Sequence, residues 1–552
     1  MQSIAIVEAL SSGQMYIRDI IERGYNPIYI TTKALSDDPF FAEYRMMCVR
    51  NFGAKVEFLE ETEDLDVLVA QLRERNTVLC LPGTEGGVKL ADRICTAMGL
   101  PGNDAATTYL RATKAGMVEA LARAGIRHIQ TETVGDVSDI ARFWRENDLD
   151  RCVLKFSESA GTVGVKVCGS IEEAESHYRH MMTIPNGLGT DDHTVLIQEY
   201  IGGTEYIVNT LSCNGEHMLT DVWVYGKILQ EDGTLAYDYG MLVKDLEPGN
   251  TEMIAYAYKV LDAVQMRWGP CHIEIKVDRK GPVLIETNAR PMGLAMTATY
   301  LDECLGYHIT ALTLDTMIHP QQFKALSLRP YAPRKYALMK IMIIPERIVA
   351  DFSPTMVFAN ALKSMREVLF FGKDGVSEYA RTVDLDTSPL TLKMINEDYG
   401  ELRRDYELLR LIEKNYFDIY YTSLDDTLEG CERVIDRESL VSHLDPMRRY
   451  LLVEDDGNHL VQFGESRPVG EWGFVDGVIY GRCASEKTVD RIRDVIRCMS
   501  LVRSGGHFMF LPESYGAFKN GVVTAEFLLR ANGFDLNAPT YYNAGILAGY
   551  RR

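Results

Sequence analysis

The sequence predicts a multidomain chain of mixed α/β and α+β type: a parallel α/β domain first, a strand-rich α+β region next, and a second Rossmann-like α/β domain at the end. Three observations predict it. The chain has 552 residues, and single hydrophobic cores rarely grow past about 250–300 residues. Short apolar runs alternate with helical patterns from the first residue, the rhythm of a parallel sheet with helices on its faces. After Asn103 the pattern becomes mostly strands with two helical interruptions, and after about Ser423 it returns to strand–helix–strand.

In order, Ser3–Val7 reads as a strand, Ser11-Ser12-Gly13 as a turn, Met15–Arg23 as a helix, and Asn26–Thr31 and Thr77–Leu81 as further strands. The turns after Val7 and Leu81 lie at the carboxyl ends of parallel strands, where open α/β sheets bind ligands. Neither is a G-x-G-x-x-G dinucleotide turn. Thr108–Gly125 reads as one helix, Arg151–Lys155 and Val165–Cys168 as strands around a small-residue loop, and Asp398–Lys414 as a helix inside the mixed stretch Lys335–Tyr421. The acidic segment Leu424–Glu432 reads as a linker. Expected boundaries are therefore 1–105, 106–325, 326–422 and 423–552.

Composition is that of a soluble globular protein, 46% hydrophobic and 25% charged, with no apolar run near the roughly 20 residues of a membrane span. A net charge of −21 without any Lys/Arg-rich run disfavours nucleic acid and anionic membrane surfaces as partners. Eleven cysteines stand scattered, with no C-x-x-C pair and no zinc spacing; an odd number in a long chain points to reduced thiols and a cytoplasmic location. Met1–Val7 reads as a first strand and not as a signal peptide. The pair His177 and His180 falls on a polar stretch and reads as a surface helix.

Chemistry concentrates in three places. Glu274 and Glu286 lie on two β-patterned runs, His272–Val277 and Pro282–Glu286, joined by Asp278-Arg279-Lys280-Gly281. A hairpin of that kind brings both carboxylates to one end of one sheet face, with Asn288 and then Arg290 following at spacings of two. Two carboxylates and an amide oxygen make a hard oxygen site suited to magnesium, and an arginine beside it stabilises negative charge on a transferring phosphoryl group. A charged solvent face explains Glu274 and Lys276 alone, but not the whole E-x11-E-x-N-x-R series. Second, Lys155 precedes the loop Ser157-Glu158-Ser159-Ala160-Gly161-Thr162-Val163-Gly164, whose small residues let backbone N–H groups approach phosphate. By itself that loop is more often structural. Third, Gln198–Tyr206 is a strand that stops at Gly202-Gly203 and restarts, a hinge able to offer backbone groups to an adenine edge and a carboxylate to a ribose.

In this order these elements resemble the ATP-grasp superfamily of carboxylate–amine ligases, across roughly Met1–Tyr421. Leu81–Val88, Leu100–Asn103, Arg111–Lys114 and Thr382–Pro389 extend the likeness, and the nearest branch is similar to the bacterial L-amino-acid ligases that make dipeptides. The resemblance implies ATP with two magnesium or manganese ions as cofactors, an amino acid or other carboxylate and an amine acceptor as substrates, and a homodimer. It implies Lys114 and Lys155 as nucleotide-phosphate lysines, Ser157, Ser159, Ala160, Gly161, Thr162 and Gly164 as a closing loop, and Glu199, Tyr200 and Ile201 as the adenine hinge. Glu205 is implied as the ribose acid, Glu274, Glu286 and Asn288 as metal ligands, and Arg290, with Lys155, as catalytic. Lys227, in Asp221–Lys227, reads equally as a phosphate lysine or a solvated hairpin lysine. The chain departs from the pattern after Arg290, where a glycine pair is replaced by Gly293-Leu294, and that bears on the amino-acid pocket.

Two further readings share the nucleotide chemistry or the fold: transfer of the acyl group to a carrier-protein thiol, and a non-catalytic ATP-binding scaffold. The tail resembles the second half of a class I methyltransferase, with an amphipathic helix Val489–Leu501, Arg503-Ser504-Gly505-Gly506 before a strand His507–Leu511, a helix Thr524–Ala531 before Asn532-Gly533-Phe534, and a closing strand near Ala544–Tyr550. Its glycine-rich first turn is not recognisable, so a scaffolding or dimerising role is expected there, and Trp472 reads as a core residue.

Overall fold

The computed structural model describes residues 1–36, 46, 48, 50–158, 163–184, 193–230, 232–344, 347–350, 352–360, 362–371, 377–385, 387–414, 450–454, 457–462, 465–468, 475–480, 494–495, 497–499, 502–510, 534–535 and 547–551. These fall into two compact units, one of Met1–Ile341 with Thr382–Ser388 and Lys393–Tyr399, the other of Met342–Arg381, Pro389–Leu392 and Gly400–Arg552.

The first unit opens with β1 (Ser3–Val7), α1 (Met15–Glu22), β2 (Asn26–Thr31), β3 (Glu57–Glu60), α2 (Leu65–Glu74), β4 (Thr77–Pro82) and α3 (Val88–Met98). The strands form a parallel sheet in the order β3-β2-β1-β4. Both faces of β1 are covered, which is why it reads as a continuous apolar run. Ile4 and Ile6 pack with Tyr16, Ile17 and Ile20 of α1, while Ala5 and Val7 pack with Leu68 and Leu72 of α2 and Ile94 of α3. The turns after β1 and β4 touch: a side chain at Gly83 would run into the backbone of Glu8 and Ala9, and one at Gly13 into Gly83.

The expected helix over Thr108–Gly125 is broken. A single turn, Tyr109–Ala112, stops at Thr113, whose backbone is extended at φ −126° and ψ 140°. Its hydroxyl accepts from the Gly116 N–H at 3.0 Å and starts α4 (Lys114–Arg123) afresh. The capping preference of threonine outweighs the apolar periodicity here, and it makes Lys114 the first residue of α4.

Next come β5 (Thr131–Val134), α5 (Val137–Glu146), β6 (Cys152–Phe156), β7 (Lys166–Cys168), α6 (Ile171–Met181) and β8 (Val195–Glu199), an antiparallel sheet in the order β5-β8-β6-β7. His177 sits on α6 and its Nε2 lies 2.9 Å from the Gly164 carbonyl, a local tie between helix and loop. The largest layer holds β9 (Thr204–Cys213), β10 (Glu216–Leu229), β11 (Leu235–Leu242), α7 (Pro248–Ala263), β12 (Gly269–Asp278), β13 (Gly281–Asn288), α8 (Ala298–Cys304), α9 (Ile309–Ile318) and β14 (Tyr336–Ile341). Its strands run in the order β13-β12-β9-β10-β11-β14. One face is sealed by α7, whose Met253, Ala257 and Val260 pack on Val208, Val222, Ile273 and Ile275.

In the second unit a seven-stranded sheet runs in the order Glu465–Pro468, Gly457–Gln462, Tyr450–Glu454, Val475–Tyr480, Val502–Phe510, Leu547–Arg551, Phe534–Asp535. Its three middle strands, beginning at Tyr450, Val475 and Val502, are parallel, and the remaining pairs are antiparallel. Arg503-Ser504-Gly505-Gly506, expected before the strand, lies inside it: Val475 pairs with Val502 and Gly477 with His507, so these four residues bulge opposite Asp476. Trp472, the acidic segment Leu424–Glu432, the helix Thr524–Ala531, Asn532-Gly533 and most of Val489–Leu501 lie outside the described residues. No helix among the described residues is long and apolar enough to cross a membrane.

Within the first unit, His308 joins α9 to α1. Its Nε2 lies 3.0 Å from Asp19 and its Nδ1 2.8 Å from Asp302, while Thr310 donates to Asp19 at 2.5 Å. Burial disfavours the charged ring, but the two carboxylates outweigh it and hold its pKa up to about 9. A histidine raised above its unfolded value of about 6.5 contributes stability that is fully present below that pH and fades as pH rises through the folded value. The Tm gap between wild type and His308→Asn is therefore expected to be widest near pH ~6 and to narrow by pH ~9.5. Thermal melts across that range check it, and a gap independent of pH contradicts the assignment.

Candidate active site

The β12–β13 hairpin sets the geometry. Cross-strand register places Glu286 opposite Glu274, Glu274 opposite Ile207, and Ile207 opposite Trp223. One row nearer the hairpin end, Lys276 faces Glu205 and Glu205 faces Tyr225. One row the other way, Asn288, His272, Asn209 and Asp221 stand in line across β13, β12, β9 and β10. Because successive strand residues alternate faces, these rows occupy the face opposite α7. From these rows Glu205, Glu274, Lys276, Glu286 and Asn288 floor a cleft of about 870 Å³, part of it open to solvent, whose other walls include β6, the segment joining β8 to β9, and the turn after β4.

The cleft is dense in charge, and several of its charges are paired. Lys114 Nζ lies 2.9 Å from Glu286, Lys227 Nζ 2.6 Å from Glu205, and Arg290 3.4 Å from Glu85. Lys276 donates to the Ile201 carbonyl at 3.0 Å and lies 5.4 Å from the centre of the Tyr200 ring. Burial opposes the ionised form of Glu274, but the His272 contact and the charge of Lys227 prevail and hold its pKa near 2. Lys155 is pushed down to about 7 by burial and by neighbouring Lys114. Glu85 is pushed up to about 7 by burial and by Glu286. The Asn288 amide satisfies its surroundings when its nitrogen faces Glu85, donating to the two carboxylate oxygens at 3.1 and 2.8 Å.

Eleven residues expected at a site meet in this one cleft: Lys114, Lys155, Glu199, Tyr200, Ile201, Glu205, Lys227, Glu274, Glu286, Asn288 and Arg290. Lys227 is not a solvated hairpin lysine, since its side chain is 12% exposed and lies 4.2 Å from the Tyr237 ring centre. Glu274 and Lys276 likewise do not form a solvent face. Ser157 and Gly164 flank the cleft without lining it: the Ser157 carbonyl accepts from Lys114 N–H at 3.1 Å, and Gly164, at φ 72°, packs on Phe156. Ser159, Ala160, Gly161 and Thr162 lie outside the described residues.

Sequence reasoning missed Glu85, Lys276 and Tyr237, together with the apolar lining of Ile129, Val153, Val165, Leu235 and Ile285. For Glu85 a signal existed: it follows the turn at the carboxyl end of β4.

The fold is of the ATP-grasp class. Residues 150–299 match the model of the ATP-grasp domain, and the chain carries that domain. Dapdiamide A synthase of Enterobacter agglomerans is 25% identical over 417 residues, spanning 75% of this chain and 96% of that protein. The L-amino acid ligase of Bacillus licheniformis superposes with a TM-score of 0.57 at 16% identity, covering 74% of this chain and 97% of its own. N5-carboxyaminoimidazole synthetase of Staphylococcus aureus, solved in complex with ADP, gives 0.51 at 13% identity, with 74% and 97% covered.

The segment joining β8 to β9 offers a test of how tightly the cleft is built. Gly203 has φ 91°, and a side chain there would strike the Val277 carbonyl, whereas Gly202 has open space. Gly203→Ala is expected to cost roughly 2–4 kcal/mol and Gly202→Ala less than about 0.5 kcal/mol. Denaturant unfolding of the two variants checks the contrast.

Proposed function

We propose that the chain is an ATP-dependent carboxylate–amine ligase that activates an amino-acid carboxylate as an acyl-phosphate and couples it to an amine, releasing ADP and phosphate. The observation that carries this reading is the facing pair Glu274 and Glu286, with Asn288 and Arg290 on one side and the buried lysines Lys114 and Lys155 on the other.

The donor set fits a magnesium ion. It offers hard oxygens only, and the Lys114 ammonium already rests on Glu286, where positive charge is wanted. No trio of His, Cys, Asp or Glu among the described residues is grouped to hold an ion unaided. Glu274, Glu286 and the Asn288 oxygen would therefore share the ion with nucleotide phosphates, as magnesium commonly does. Two ions, magnesium or manganese, belong to this reading. When bound, the metal supplies neutralisation of phosphate charge.

The chain's own residues supply the rest. Lys114 and Lys155 are assigned to the phosphates. Burial and neighbouring Lys114 lower the proton affinity of Lys155, and phosphate charge beside it would favour its charged form. Lys276 donates to the Ile201 carbonyl, the segment Glu199–Ile201 is assigned to an adenine edge, and Glu205 is assigned to a ribose hydroxyl. The apolar side chains Ile129, Val153, Val165, Leu235 and Ile285 suit the flat faces of a purine. Arg290 is assigned to the oxyanion that develops as the amine attacks. The loop Ser157–Gly164 is assigned to exclusion of water from the acyl-phosphate.

Amide formation as the second step draws on the two relatives named as dapdiamide A synthase and L-amino acid ligase. The buried free thiols support a reducing, cytoplasmic setting. A homodimer and a scaffolding role for residues 423–552 complete the reading; sedimentation and calorimetry with adenosylmethionine test them. Glu286→Gln and Arg290→Ala are expected to lower amine-dependent ADP release by at least about a hundredfold while keeping the wild-type melting profile. Coupled-enzyme assay of ADP over pairs of amino acids, with mass spectrometry of the product, checks this; wild-type turnover in either folded variant removes the assigned site.

A further inference from the structure

Outside the lining of the cleft, one ion pair joins two of the elements that wall it. Lys89 is the second residue of α3, and Glu85, four residues earlier, lines the cleft from the turn after β4. Glu158 follows the end of β6, three residues beyond Lys155, which also lines the cleft. Lys89 Nζ lies 2.6 Å from Glu158 Oε2.

Both ends of this bond are held from behind. The start of α3 lies hard against β1, since a side chain at Gly87 would run into the Val7 carbonyl. Ser157, just before Glu158, is buried; its N–H donates to the Thr194 carbonyl at 2.8 Å, and its carbonyl accepts from Lys114 N–H at 3.1 Å. The Glu158 side chain is 13% exposed and that of Lys89 54%. The carboxylate is thus turned largely inward, and the ammonium reaches it from the rim.

An ion pair with one exposed partner adds little to stability, so the weight of this one lies in where it stands. Lys114 and Lys155, assigned above to nucleotide phosphates, are both tied to the backbone at Ser157, the first by its N–H and the second through β6. Glu158 puts a negative charge on the very next residue. Left unpaired, that charge would repel a polyphosphate, and its partial burial would weaken the screening by salt. We propose that Lys89 is a positioning residue for the nucleotide: it holds and neutralises the Glu158 carboxylate, so that the phosphate lysines act without an opposing charge beside them. The inference rests on the nucleotide reading above. It carries a structural consequence, because Lys89 belongs to the first domain and Glu158 to the chain leaving β6. Nucleotide affinity then depends on the first domain being docked beside β6.

The test is calorimetric titration of the full chain with a non-hydrolysable ATP analogue and magnesium, at about 50 mM and about 500 mM salt. Lys89→Ala is expected to weaken binding by at least about fivefold at the lower salt and by less than about twofold at the higher. Glu158→Gln is expected to tighten binding by at least about threefold at the lower salt, because Lys89 is then free to attract phosphate. The double variant removes both charges and is expected to return to within about twofold of the wild type. A contact that merely braced the fold would make the two single variants fail alike and leave the double no better. Wild-type affinity in Lys89→Ala, weaker binding in Glu158→Gln, or a double variant as weak as Lys89→Ala overturns the proposal; the last makes Lys89 a phosphate ligand in its own right. Absence of analogue binding by the wild type removes the nucleotide reading and this inference with it. Binding by the wild type that neither single variant alters removes this inference alone.

Discussion

The facing of Glu274 and Glu286 across β12 and β13 is the constraint on which the rest of the cleft depends. Two carboxylates on neighbouring strands repel one another, and like charges directly opposite destabilise a sheet. The fold answers with cations drawn from separate elements: Lys114 from the start of α4, Lys227 from β10 and Arg290 from the segment after β13. None of these is near Glu274 or Glu286 in sequence except Arg290. The carboxylate pair is therefore tolerable only when the whole first unit has assembled. A buried pair of this kind favours one arrangement more than it adds stability, which suits a site whose groups must face a highly charged ligand.

The same register divides the sheet face by function. The row Lys276–Glu205–Tyr225 lies beside the segment joining β8 to β9, the side proposed for the nucleotide. The row Asn288–His272–Asn209–Asp221 lies on the far side of the carboxylates, and its Asn209 and Asp221 border a second, smaller cavity that Arg290 also lines. One carboxylate row thus stands between two spaces of different character. The first is rich in lysine; the second is apolar with one buried acid. Arg290, common to both, is where a group from either space would meet the other.

Much of this was legible in the sequence, and the legible parts share a cause. Spacing along a hairpin fixes which side chains share a face, so Glu274, Glu286 and Asn288 could be placed together from parity alone. Lys155 and Glu205 followed from the loop and the glycine pair beside them. Glu85 and Lys276 were not legible as site residues because their position depends on contacts distant in sequence. Glu85 reaches Arg290 only because the turns after β1 and β4 meet backbone to backbone, and Lys276 is turned inward by the Ile201 carbonyl. The break at Thr113 was hidden for another reason: apolar periodicity carries across a one-residue interruption, and only the hydroxyl's bond to Gly116 ends the first turn. The bulge at Arg503–Gly506 was likewise invisible, because glycine marks a turn and a bulge equally well.

The segment after Arg290 shows how far the first domain takes part. Leu294 and Ala295 both have positive φ, 61° and 44°, a conformation that is costly for side chains with a Cβ. Such a turn persists only where its surroundings over-determine it. Ser11 accepts from Ala295 N–H at 2.9 Å, Ser12 accepts from Met296 N–H at 2.8 Å and donates to the Gly293 carbonyl at 3.0 Å, and Lys393 donates to the Ala295 carbonyl at 2.5 Å. Two of those side chains come from the turn after β1, the ligand-binding end of a parallel sheet. The Gly293–Met296 segment is thus held by the first domain. Met292 and Met296, which bracket the strained pair, are also walls of the second cavity. The shape of that cavity is consequently set from two sides at once, by the strand register beneath it and by the serines that hold its rim.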